Sequence, residues 1–165
     1  MGDGEPGYAA PSAYGAQLPP ALQRYLDGND LERKTQALRL ASVDADGWPH
    51  AALLSAGEML ALSPQRLRFA LVAQSTTAAN LARDGRAVLT LALERGLCEL
   101  RLQVRRLSPD DGPRALYEGT VEAVRTHVAP YADVTSGIAF RLHQPEAVLP
   151  RWQRQLAALR TAGLR

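Results

Sequence analysis

Hydrophobic and polar residues alternate along much of the central sequence, which is the period expected of half-buried β-strands. The segments that show this alternation, or a short apolar run of strand length, are Leu38–Val43, His50–Leu54, Glu58–Leu62, Arg66–Ala73, Arg86–Leu93 and Leu97–Leu107. Asp46-Gly47 is a dipeptide typical of a hairpin turn between the first two of these segments. Ile138 to Leu142 is predicted to be one more strand.

Helical spacing is found in four places. A short helix is predicted around Leu22, Tyr25 and Leu26, and a second begins at Ser75, Thr76 or Thr77 and ends at Gly85. Tyr117, Val121, Val124 and Val128 are spaced i, i+4, i+7 and i+11, which predicts a third helix. The fourth begins at Pro145 and carries Trp152, Leu156 and Leu159.

The order of these elements predicts a mainly β fold with flanking helices, built as an antiparallel barrel from sequential hairpins. Residues 1–17 lack any period and are rich in Gly, Ala, Pro and Tyr, so they are predicted to be a flexible tail. Residues 18–165 are predicted to form one domain. A chain of 165 residues with 46% hydrophobic residues can bury a substantial core.

Charge and cysteine content exclude several classes of protein. The formal net charge is only +2 and no basic cluster is present, so a nucleic-acid partner is not expected. No apolar run approaches the roughly 20 residues of a membrane span, so no membrane association is expected. The single cysteine, Cys98, and the absence of a signal-peptide pattern favour a cytoplasmic location.

Hydrolytic and metal chemistry receive little support from the sequence. The three histidines, His50, His127 and His143, do not form a metal-ligand spacing, and no nucleophile elbow surrounds a serine. No metal site is predicted, and no catalytic acid or base is assigned. Cys98, with Leu97 and Leu100 nearby, is predicted to be a buried and inert thiol.

The segment from Val72 to Leu81 is the most informative candidate site. It predicts a strand, then the consecutive hydroxyls Ser75, Thr76 and Thr77, then a helix. The start of a helix has unpaired N–H groups and a partial positive charge, so added hydroxyl donors suit a phosphate group. The alternative is simple N-capping, in which one hydroxyl stabilises the helix and binds no ligand.

This region resembles the FMN-binding split-barrel family typified by pyridoxamine 5′-phosphate oxidase. The resemblance is carried by the hairpin Asp44–His50, by Leu53-Leu54-Ser55, and by the run from Leu67 through Ser75-Thr76-Thr77 and Asn80-Leu81 to Leu89. It implies an antiparallel split β-barrel, a homodimer with FMN between the subunits, and oxidoreductase activity on a small-molecule substrate or redox partner. The cofactor-binding residues that it implies are His50, Ser55, Ser75, Thr76, Thr77 and Asn80.

The sequence departs from the oxidase itself at the phosphate. The oxidase places arginine or lysine at the positions that match His50, Ser55, Thr76 and Thr77, whereas none of these four is a permanent cation here. Arg66, Arg68, Arg83 or an arginine of a partner chain is a candidate to compensate. The substrate-binding pattern of the oxidase is also not evident in the C-terminal part, so the chain resembles other flavoproteins of this fold more than the oxidase.

Two alternatives remain open at the level of sequence. One is a non-catalytic dimer that binds haem or another small molecule, with His50 or His143 as the haem contact. The other is a deazaflavin-dependent enzyme on the same fold.

Overall fold

The computed structural model describes residues 12–107 and 112–163 of the chain. It contains strands β1 (Ser12–Gly15), β2 (Leu38–Val43), β3 (Pro49–Leu54), β4 (Met59–Ser63), β5 (Arg66–Val72), β6 (Arg86–Leu93), β7 (Gly96–Arg106) and β8 (Arg114–His127). The helices are α1 (Pro20–Tyr25), α2 (Thr76–Arg83) and α3 (Pro145–Thr161), and a 3-10 turn covers Leu31–Arg33.

All of these strands belong to one antiparallel sheet, in the order β3-β2-β6-β7-β8-β5-β4. β1 pairs with β8 outside this path, so residues 12–15 of the predicted tail form a strand that the sequence analysis did not predict. The prediction for residues 1–11 lies outside the described residues. β3 and β4 follow each other in the chain but occupy opposite edges of the sheet.

The curled sheet encloses the larger hydrophobic cluster on its concave side. Alternation supplies the buried side chains, as in β2, where Leu38, Leu40 and Ser42 are buried while Arg39 and Val43 are exposed. A second cluster lies under α3, where Trp152, Leu156 and Leu159 pack with residues that include Leu60 and Ala70. A β-carbon added at Gly57 would lie 2.0 Å from the Trp152 ring, so the close approach of this helix requires glycine there.

The third predicted helix is wrong, because Tyr117, Val121 and Val124 lie on the long strand β8. Tyr117 and Val121 are an even number of residues apart and face the same side, as a strand requires. An irregularity in the β7–β8 register then adds one residue, Glu122, between the partners of Leu102 and Arg101. This bulge changes the parity, so the buried positions Val121 and Val124 are three apart and imitate a helix.

The predicted strand Ile138–Leu142 is also wrong, since this segment is not a strand of the sheet. It lies beside the chain before β2 through one isolated bridge between Gln36 and Ala139. Ala37 N–H donates to the Ile138 carbonyl at 2.7 Å, and Phe140 N–H donates to the Thr35 carbonyl at 2.9 Å. These few backbone hydrogen bonds hold the segment in an extended conformation but do not make it a strand of the sheet.

A buried ion pair fastens α3 to the sheet. Arg68 on β5 and Glu118 on β8 are cross-strand partners, and the Arg68 Nε donates to the Glu118 Oε2 at 3.0 Å. The Arg68 Nη1 also donates to the Leu159 carbonyl at 2.8 Å, near the end of α3. Arg68 therefore neutralises a buried carboxylate and satisfies a helix-terminal carbonyl with the same guanidinium.

We expect Arg68→Ala to lower the free energy of unfolding by about 3 kcal/mol, because it leaves a buried carboxylate short of a partner. The measurement is chemical denaturation. The matched control is Arg66→Ala, an exposed residue of the same strand, which should change stability by less than about 0.5 kcal/mol. Equal losses in the two variants would contradict this role for Arg68.

Glu118 also predicts a pH dependence of stability. Burial opposes its ionisation, but hydrogen bonds from Arg105 and Arg68 outweigh burial and lower its pKa. A lowered folded-state pKa stabilises the fold above the ordinary Glu value of about 4.3, and this contribution is lost as the pH falls through the folded-state pKa. Glu118→Gln should therefore be less stable than the unsubstituted chain at neutral pH, and denaturation curves should converge as the pH falls below about 4. A constant difference down to the lowest pH would exclude this linkage.

Candidate functional site

The N-terminus of α2 is capped by a side chain. Ser75 is the N-cap, and its Oγ accepts a hydrogen bond from the Ala78 N–H at 3.2 Å. The helix geometry leaves the N–H groups of Thr76 and Thr77 without partners inside α2. N-capping, the simple interpretation of the hydroxyl cluster, therefore accounts for Ser75 but for neither threonine.

Thr77 is the unusual hydroxyl of this cluster. The residue is only 2% exposed, yet its side chain forms no hydrogen bond with any residue that the structure describes. Thr76 precedes it and is exposed. The buried side-chain atoms that lack a partner among the described residues are Thr126 Oγ1 and His127 Nε2, so the Thr77 hydroxyl is unused by the described residues without being an unsatisfied buried group. The start of α2 thus offers two N–H groups and an unused hydroxyl.

Asn80, in the middle of α2, contacts β2 at the position opposite His50. The Asn80 Nδ2 donates to the Ser42 Oγ at 3.0 Å, and both residues are buried. Ser42 is the direct cross-strand partner of His50, so the half-buried His50 lies on the same face of the β2–β3 hairpin. Asn80 is thereby committed to holding α2 against β2.

Ser55 follows the end of β3 and is bound to Glu58. The Ser55 N–H donates to the Glu58 Oε2 at 2.9 Å, and the Ser55 hydroxyl donates to the same oxygen at 3.2 Å. The other carboxylate oxygen of Glu58 lies 3.4 Å from Nη1 of Arg114. The sequence analysis missed both charged residues, because no local pattern links Ser55 to the start of β8.

The three arginines proposed to replace the missing phosphate-binding cations, Arg66, Arg68 and Arg83, lie away from the start of α2. Arg68 is engaged by Glu118 and α3, as described above. Arg83, in the last turn of α2, donates to the Val43 carbonyl. Arg66 is the first residue of β5, whereas the strand reaches Ser75 from its last residue, Val72. The fold brings none of these three guanidinium groups to the start of α2.

A groove of about 660 Å³ opens where β2 and β6 separate. The two strands pair only through Arg39–Ala41 and Val88–Thr90, and the groove begins beyond these pairs. Its lining includes the cations Arg86 and Arg101 and the anions Asp84 and Glu122, but none of the six predicted cofactor-binding residues.

Cys98 is buried on β7, as the sequence predicts. Burial, reinforced by the charges of Glu94 and Glu99, raises the pKa of this thiol to about 11. The protonated form therefore dominates at neutral pH, which gives a poorly nucleophilic sulfur. Among residues 12–107 and 112–163, no group of three or more His, Cys, Asp or Glu side chains is placed to hold a metal ion.

No helix in the described part of the chain is both long and apolar enough to cross a membrane.

Comparison with known proteins identifies the family. Residues 29–138 match the family model described as pyridoxamine 5′-phosphate oxidase, and the chain belongs to this family. The uncharacterised protein YclD of Bacillus subtilis is 40% identical over 143 residues, which span 84% of this chain and 93% of that protein.

Two solved structures show the same fold at low sequence identity. A proposed pyridoxamine 5′-phosphate oxidase from Lactobacillus delbrueckii superposes with a TM-score of 0.54 and 18% identity, covering 67% of this chain and 95% of that one. HupZ of Group A Streptococcus gives a TM-score of 0.53 at 14% identity, covering 71% and 99% of the two chains. The predicted antiparallel split barrel with few helices is thereby confirmed.

Asn80 generates a prediction about stability. Asn80→Ala should lower the free energy of unfolding by about 1–3 kcal/mol, because the Ser42 hydroxyl is left buried without its partner. The double variant Ser42→Ala/Asn80→Ala should lose less than the sum of the two single variants, since it removes both polar partners. Additive losses in denaturation experiments would show that the contact between the two residues contributes nothing.

Proposed function

We propose that this chain is an FMN-binding flavoprotein with oxidoreductase activity, and that it acts as a homodimer in the cytoplasm. The observation that carries the proposal is Thr77 at the start of α2, whose hydroxyl forms no hydrogen bond with any described residue. Together with the free N–H groups of Thr76 and Thr77, it suits the phosphate of a nucleotide cofactor. Family membership supplies the reason to choose a flavin.

The predicted residues divide into two groups under this proposal. Ser75, Thr76 and Thr77 bind the phosphate, whereas the two donors of Ser55 are bound to Glu58. Asn80 holds α2 in position, and His50 lies on the adjacent hairpin face, where the rest of the cofactor would extend. The residues therefore fit a phosphorylated ligand without a cluster of cations.

The chemistry would come from the cofactor. FMN supplies hydride or electron transfer when bound, whereas the protein orients the ring and excludes water. No side chain near α2 is assigned as an acid or a base. The substrate would be a small molecule or a redox partner, because a sequence with a formal net charge of +2 and no basic cluster does not favour a nucleic acid.

The exposed edge of the sheet supports a homodimer. Val43 and Leu53 face outward from β2 and β3 with exposed fractions of 46% and 56%, and Trp48 in the turn between them is 71% exposed. These three apolar side chains on one hairpin would remain in water in a monomer. A second copy of the chain is the occupant that the family resemblance favours.

Titration of the purified protein with FMN tests the proposal. We expect quenching of FMN fluorescence at about one flavin per chain, together with the mass of a dimer in solution. Absence of quenching would refute the flavin assignment, and a Soret band on adding haem, lost in His50→Ala or His143→Ala, would support the haem alternative instead.

Thr77→Val tests the residue that carries the proposal. The substitution keeps the shape of the side chain and removes its hydroxyl, so FMN affinity should fall about tenfold, since hydrogen bonds to charged groups are the stronger ones. Affinity for riboflavin, which lacks the phosphate, should not change. The control is Thr120→Val, an exposed position on β8 that should leave both affinities unchanged. Unchanged FMN affinity in Thr77→Val would remove the hydroxyl from the phosphate site.

A further inference from the structure

Arg114 is a cation that the sequence analysis did not consider, and the fold brings its backbone to the end of β5, just before the start of α2. It is the first residue of β8 and the cross-strand partner of Val72, the last residue of β5. The Val72 carbonyl accepts a hydrogen bond from the Ser75 N–H at 3.0 Å. Beside it, the Ala73 N–H donates to the Pro113 carbonyl at 3.0 Å. Arg114 is therefore fixed at the root of the loop that presents Ser75, Thr76 and Thr77.

Arg114 is also linked through Glu58 to Ser55, another of the predicted cofactor-binding residues. Its Nη1 lies 3.4 Å from one Glu58 oxygen, while the other Glu58 oxygen accepts both donors of Ser55. The Glu58 carbonyl accepts from the Ala70 N–H at 3.0 Å, two residues before Val72. Ser55, Glu58 and Arg114 thus form a short chain of contacts that ends beside the β5–α2 junction.

The guanidinium of Arg114 has capacity left for an anion. An arginine has five N–H donors, and this one makes a single long contact, to Glu58, within the described residues. Its side chain is 31% exposed, against 9% for Arg68. The guanidinium of Arg68 is hydrogen-bonded to buried partners, whereas that of Arg114 is partly exposed to solvent and is available to a ligand.

We propose that Arg114 is the phosphate-binding cation of this chain and that it takes the place of the arginine and lysine side chains absent at His50, Ser55, Thr76 and Thr77. This inference rests on the proposed function. The phosphate of FMN carries close to two negative charges and would be bound by the Arg114 guanidinium, the Thr77 hydroxyl and the N–H groups at the start of α2. Glu58 holds Arg114 when no phosphate is bound and competes with the phosphate for it.

The competing explanation is that Arg114 and Glu58 form only a structural ion pair. Partly exposed pairs of this kind contribute little to stability, with a median near 0–1 kcal/mol. The two explanations differ in what removing Glu58 does. A structural pair requires both charges, whereas a phosphate-binding arginine is released when the competing carboxylate is removed.

The experiment compares FMN and riboflavin affinities by fluorescence quenching in the full chain. Arg114→Gln should weaken FMN binding about 10- to 100-fold and leave riboflavin binding unchanged, because only the phosphate interacts with the guanidinium. Arg114→Lys should retain part of the affinity, since it keeps the charge but loses the planar fork. Arg125→Gln, an exposed arginine near the other end of β8, is the matched control and should bind both flavins like the unsubstituted chain.

Glu58→Gln completes the test. It keeps an oxygen acceptor for Ser55 and removes the competing charge, so FMN affinity should rise while riboflavin affinity stays constant. If Glu58→Gln and Arg114→Gln weaken FMN binding equally, the pair is structural and the inference is overturned. Equal loss of both flavins in Arg114→Gln would also overturn it while leaving the proposed function intact. If the unsubstituted chain binds neither flavin, the proposed function fails, and the inference fails with it.

Should Arg114→Gln not fold, inorganic phosphate provides a measurement on Arg114→Lys and the unsubstituted chain. Phosphate should compete with FMN in both, at a higher concentration in Arg114→Lys. Identical competition curves would contradict a guanidinium contact with the phosphate.

Discussion

The antiparallel register between β5 and β8 is the constraint on which the rest of this structure depends. The same register places Arg68 opposite Glu118 and Val72 opposite Arg114. The first pair fastens α3 through the Leu159 carbonyl, and the second brings a cation to the β5–α2 junction. Because side chains alternate between the two faces of a sheet, a slip of one residue would separate both pairs at once.

The polar residues near α2 have two kinds of role. Asn80 and Arg83 are engaged with β2, through the Ser42 hydroxyl and the Val43 carbonyl, so they determine where the helix lies. The Thr77 hydroxyl forms no such bond among the described residues. Hydrogen bonding to β2 therefore distinguishes the residues that position the helix from the hydroxyl that is available to a ligand. Residue type alone could not distinguish them, because all three are polar residues of one short helix.

The chain belongs to the pyridoxamine 5′-phosphate oxidase family. The resemblance implies that hydroxyls and a half-buried histidine stand where the oxidase has cations. Under the proposed function, Arg114 on β8 and the N–H groups at the start of α2 together balance the charge of the phosphate. One partly shared guanidinium gives weaker electrostatic attraction than several unpaired cations, so such a site favours moderate and salt-sensitive binding.

The sequence by itself determined most of the strands, all three α-helices and the capped start of α2, because these depend on local alternation, helical period and capping chemistry. It misidentified β8, since the bulge at Glu122 changes the parity of the buried positions and produces a helical spacing at Val121 and Val124. Only the tertiary structure decided that Arg114 contacts Glu58 and pairs with Val72, that Arg68 is buried against Glu118, and that the Thr77 hydroxyl has no partner among the described residues. Each of these depends on pairing between strands far apart in the chain, and the free energy of such pairing comes from the packed core as a whole and not from any local pattern.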